Sequence, residues 1–242
     1  MISTLQKLAG IGTNIVDHSA SAINFNANLP ITIEVLKQLG HDRFRLKLGR
    51  KELTTKSQKN LKEGKKYWGN FFQGKGGVLT ISHLYPQPSF FQSSDNFLPL
   101  GLDTFLTPNF SMENWKAFLI HHLTDENTAK ELFSTLSIML LALHKSVVHL
   151  PLLVEEKKML LQFCAEGKNI KFYAAFENLG PIKGTLSLTN NGLEVSLEVA
   201  YEKSLYFLQK EMHKLGIITE LSLCNEIQPL FDSNDLLLDL KG

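Results

Sequence analysis

Residues 172–223 constrain the fold more than any other stretch. Phe172 to Phe176 is apolar throughout, and Leu179-Gly180 follows it closely. Two runs, Thr185-Leu186-Ser187-Leu188 and residues 193–199, then alternate apolar and polar side chains. Alternation with period two marks strands with one face buried. Asn190-Asn191-Gly192 stands between the runs. An Asn-Gly pair there predicts a hairpin, because a type I′ turn needs positive φ at both central positions. Leu205, Leu208, Met212 and Leu215 recur at helical spacing, with Tyr201 on the same stripe, and Gly216 stands where a C-cap belongs. A last strand over 217–223 completes an antiparallel sheet with one helix packed across it. Nothing in the stretch has the spacing of a catalytic constellation.

This order of elements resembles the C-terminal domain of the flagellar hook-length control protein family. The matching residues are Phe176-Glu177-Asn178-Leu179-Gly180, the hairpin over 182–199, the helix over 205–216 and the strand over 217–223. Upstream, His149 to Leu153 and Met159 to Phe163 look like two strands that precede this core in shorter relatives, so the likeness covers about 146–225. Leu179, Gly180, Asn191, Gly192, Leu205, Leu208, Leu215 and Gly216 carry it as structural markers. The Pro that many members place before the Leu-Gly step is absent. The resemblance implies a non-enzymatic protein that passes through the type III export apparatus. It also implies contact with the cytoplasmic domain of the export-switch protein, and with hook or hook-cap subunits. The outcome would be a change of exported substrate from hook to filament subunits. A cytoplasmic location follows, with export through the flagellar apparatus. Family members carry a long low-complexity ruler, whereas an arm of 29 residues spans at most roughly 100 Å, which favours switching without length measurement.

The chain has 242 residues, 43% of them hydrophobic, enough for one large or two small domains. Its longest apolar run, near Leu136 to Leu143, is shorter than a membrane span, so no insertion is expected. The N-terminus lacks an apolar core with a small-residue cleavage site, and signal-peptide secretion is not expected. Cys164 and Cys224 read as small buried hydrophobes in a reducing compartment. Net charge is +1, yet residues 1–75 hold 13 of the 25 Lys and Arg and only 5 of the 24 Asp and Glu. A basic front and an acidic back point to two units with different partners, or to contact with each other.

The whole reads as α+β. Residues 1–29 form a mobile arm, and 30–84 a small basic β-barrel of the OB or SH3 kind, read from short strands such as Phe44-Arg45-Leu46-Lys47-Leu48. A Pro-containing linker covers 85–110, and a helical hairpin 111–145, with Ser111 as N-cap of the first helix and Thr124 or Asp125 capping the second. The sheet domain then runs over 146–225, and an acidic-leucine tail over 226–242.

His121-His122, His144 and His149 lack the four-residue spacing and the intervening Glu of helical zinc pairs, so no metal or other cofactor is expected. Ser146 and Ser204 lack a nucleophile elbow. Gly74-Lys75-Gly76-Gly77 lacks the Lys-Ser/Thr ending of a phosphate loop and reads as a hairpin turn. The rival to the flagellar reading is nucleic-acid binding by Arg43, Arg45, Lys47, Arg50 and Lys51 near Tyr67, Trp68, Phe71 and Phe72, where cations meet a backbone and rings stack on bases. A solvated charged face over an apolar core is the plainer account.

Overall fold

The computed structural model describes residues 29–57, 59–73, 79–92, 97–98, 111–154, 156–190, 192–215 and 217–232. The expected arm, the Gly74–Gly77 turn, most of the linker, Asn191, Gly216 and the end of the tail lie outside the described residues, as do the side chains of Phe71, Phe72 and Leu215. By its contacts the chain divides into two compact units. The first holds the N-terminal residues through Gln87 together with 177–180 and 201–210, and the second holds 88–176, 181–200 and the remainder.

The first unit is built on β1 (Ile31–Gln38), β2 (Arg43–Leu48), β3 (Lys51–Lys56), β4 (Lys66–Gln73) and β5 (Leu79–Pro86). The strand order is β3-β2-β1-β4-β5, so β3 and β5 are edges and the sheet is open. This corrects the expected barrel. Short antiparallel strands at even spacing are common to barrels and open meanders, and closure depends on a non-local pairing that spacing does not encode. Strand β2 alternates exposed Arg43, Arg45 and Lys47 with buried Phe44, Leu46 and Leu48. Its inward residues join Ile33, Val35, Leu61 and Tyr67 in one apolar cluster.

In the second unit, β6 (Val148–Val154), β7 (Lys157–Glu166), β8 (Asn169–Phe176), β9 (Gly180–Thr189), β10 (Gly192–Val199) and β11 (Ile218–Leu223) form a six-stranded sheet in the order β11-β10-β9-β8-β7-β6. The helical hairpin is present as α1 (Met112–Thr124) and α2 (Lys130–His144). Trp115, Leu119, Leu136 and Met139 pack on Val148, Leu150, Leu152 and Met159. Ser111 caps α1, its Oγ accepting from the Asn114 amide at 3.1 Å. The second cap differs from expectation. Asp125 ends α1 and its Oδ1 accepts from the backbone and side-chain nitrogens of Asn127, while α2 starts after Ala129 without a side-chain cap bond. An Asp that bonds its own backbone two residues on makes a turn in place of a cap.

Two further corrections concern the last strands. Thr189 pairs with Gly192, which makes Gly192 the first residue of β10 instead of a turn centre. The expected all-antiparallel sheet is mixed, because β11 runs parallel to β10. The connection between them contains α3 (Glu202–Leu215). A crossover of that length returns the chain to the starting end of the sheet, where a parallel strand can be added. Cys164 and Cys224 are both free and half-buried.

Candidate functional site: the Leu-Gly step and the basic face

The Leu-Gly step is fixed from several sides within the first unit. Leu179 is buried, and Ser204, itself fully buried in the first turn of α3, donates its hydroxyl to the Leu179 carbonyl at 2.7 Å. Gly180 has φ of +75°, and a Cβ at that position would meet the ring of Tyr201 at 2.7 Å. Glycine is therefore required twice over, by backbone conformation and by space. Tyr201 is buried and donates its hydroxyl to the His83 carbonyl at 2.8 Å, while its ring meets Tyr85 edge-on. Burial holds the Tyr201 phenol well above the ordinary tyrosine range. The Glu177 carbonyl accepts from Trp68 Nε1 at 3.0 Å and from the Thr32 hydroxyl at 3.3 Å, and Thr32 in turn accepts from Gln87 Nε2.

Of the helical markers, Leu208 is buried and Leu205 half-buried; Leu215 ends α3. Gly192 sits at the hairpin end with φ of +117° in open space. Tyr201 was readable as one of the α3 stripe. Trp68 and Ser204 carry no sequence signal for their role, since their partners lie 109 and 25 residues away.

The basic face is the outward surface of β1, β2 and β3. Registers place Arg43 opposite Lys56, Arg45 opposite Thr54 and Lys37, and Lys47 opposite Glu52 and Glu34. The Lys47 row alternates in sign. The other two rows set Arg43 against Lys56 and Arg45 against Lys37, like charges facing directly across strands, an arrangement that costs stability. Asp42 lies 3.7 Å from Lys56. Arg50 and Lys51 are exposed at the β2–β3 turn. Two of the rings read as base-stacking platforms, Tyr67 and Trp68, are not on offer there. Tyr67 faces the apolar cluster, and Trp68 is fully buried with its Nε1–H already used.

His121 and His122 have ring centroids 5.5 Å apart on α1, and His149 lies buried in β6. Among the described residues no group of three or more His, Cys, Asp or Glu could hold a metal ion. No helix among them is long and apolar enough to cross a membrane. No protein-family model, curated protein or solved structure matches this chain.

Proposed function

We propose that this chain is a non-enzymatic assembly protein of the hook-length control type. In this reading it binds the cytoplasmic domain of the flagellar export-switch protein and shifts export from hook to filament subunits. The observation that carries the reading is the Leu179-Gly180 step. Gly180 is here demanded by backbone conformation and by the Tyr201 ring, and Leu179 beside it is buried with its carbonyl held by Ser204. They are followed by a hairpin, a helix and a last strand, the order of elements on which the resemblance rests. The reading places the protein in the cytoplasm, with passage through the export apparatus, and leaves hook or hook-cap subunits as further partners.

Deletion of the gene, followed by electron microscopy of isolated hook–basal bodies, tests it. Overlong hooks without filaments support the proposal, and normal hooks bearing filaments overturn it. The alternative is binding of nucleic acid through the basic face, favoured by the two like-charge rows on β1–β3. Binding of an oligonucleotide that weakens steeply with salt would support that alternative.

A further inference from the structure

The second unit contains a polar cluster that the proposed function does not use. His149 and Gln162 face each other across β6 and β7, and Tyr173 continues the row on β8. Gln162 is fully buried and uses every hydrogen-bonding position of its amide. Oε1 accepts from the backbone nitrogens of Leu230 at 2.8 Å and Phe231 at 3.2 Å, and Nε2 donates to the Phe231 carbonyl at 2.7 Å. The second Nε2 hydrogen goes to His149 Nδ1 at 2.9 Å. One side chain thus reads both backbone polar groups of Phe231, as a neighbouring strand would.

The same bonds fix the imidazole. With Oε1 held by two N–H donors, the amide cannot turn over without setting donors against donors, so Nδ1 of His149 must stay an acceptor. Nε2 then carries the hydrogen, and among the described residues it is buried without a partner. The rings of Phe90 and Phe231 lie 4.9 and 5.6 Å from the imidazole.

We infer that Gln162 and His149 form a proton-gated latch, which holds the C-terminal segment 227–231 on the sheet while the imidazole is neutral and releases it on protonation. A second ring proton would point Nδ1–H at the Gln162 amide hydrogens and put a charge between two phenyl rings. The arrangement that relieves both is one in which Phe231 leaves and water enters. Burial lowers the His149 pKa from its ordinary value to about 3, in keeping with that geometry. On the same face of β6 to β8 the other titratable groups are Lys158, Cys164 and Glu166 on β7, with Tyr173 and Lys171 on β8. Lys158 donates to the Phe91 carbonyl, and Lys171 pairs with Glu166 at 2.7 Å. Burial, with a smaller contribution from Asp232 next to Phe231, holds the Tyr173 phenol high. The Ser89–Gln92 turn that supplies Phe90 brings no titratable side chain.

The sign follows from the lowered pKa. The released state takes up a proton below about pH 6.5 and the latched state does not, so docking is complete above that pH and is lost as pH falls. Amide hydrogen exchange on the full chain between pH 7.5 and 5 tests this, with protection factors corrected for intrinsic rates. Protection at Leu230 and Phe231 should fall about tenfold per pH unit below about 6.5, and Leu161 in β7 should remain the better protected at each pH. In His149→Leu the fall should disappear. Flat protection in the wild type, protection at Phe231 equal to that at Leu161 at every pH, or an unchanged slope in His149→Leu would each overturn the latch. If that variant does not fold, the comparison of Phe231 with Leu161 in the wild type decides alone.

Discussion

At the scale of single residues, Gly180 and Tyr201 form a pair whose parts fail for different reasons. Gly180→Ala should cost about 2–4 kcal/mol, adding a left-handed backbone penalty to a clash with the Tyr201 ring. Gly167 has φ of +62° and nothing near its Cβ position, so Gly167→Ala should lose only the backbone part, about 1–2 kcal/mol. Urea denaturation of both variants measures the difference, and equal losses would show that the ring yields. Tyr201→Phe removes the bond to the His83 carbonyl, a loss of about 1 kcal/mol at pH 7. Its phenol is raised in the folded state by burial. The unfolded chain therefore releases that proton first, and stability falls as pH climbs above about 10. Tyr201→Phe should flatten the decline, which denaturation at pH 9 to 11 will reveal. Gly180 was legible as half of a Leu-Gly marker; the ring that makes it obligatory was not.

At the scale of elements, local signals account for what formed and not for what it paired with. Ser111→Ala should destabilise by about 1 kcal/mol, because the Asn114 amide loses its acceptor at the start of α1. Denaturation midpoints check it, and no change would mean that another group takes up the cap. The alternation in β2 announced a basic outer face, and the registers give a reason why that face should tolerate reversal. The double variant Arg43→Glu with Arg45→Glu removes like-charge pairs with Lys56 and Lys37, so folding stability should stay within about 0.5 kcal/mol. If the face binds a polyanion, the same change should lower the salt slope by about 2. An unchanged slope, measured by fluorescence anisotropy of a labelled oligonucleotide, would move the contact elsewhere. The hairpin was legible from Asn-Gly, yet its register places Gly192 in β10, since side-chain packing along both strands outweighs the turn preference.

At the scale of the whole molecule, acid is the condition expected to matter. With His149 buried neutral, unfolding should become easier below about pH 6.5 by about 1.4 kcal/mol per pH unit beyond what the carboxylates contribute. Chemical denaturation at pH 7, 6 and 5 should show wild type losing about one proton's worth more per unit than His149→Leu, and parallel curves would refute it. By itself, the sequence determined local facts: that the alternating runs are strands, where α1 begins, and that α3 has an apolar stripe. These follow from periodicity and capping, which act over a few residues. Only the tertiary structure decided that the first sheet stays open, that β11 runs parallel, that residues 177–180 and 201–210 join the N-terminal unit, and that Gln162 holds Phe231 from 69 residues away. Each depends on which distant surfaces exclude water together, and no short window of sequence contains both partners.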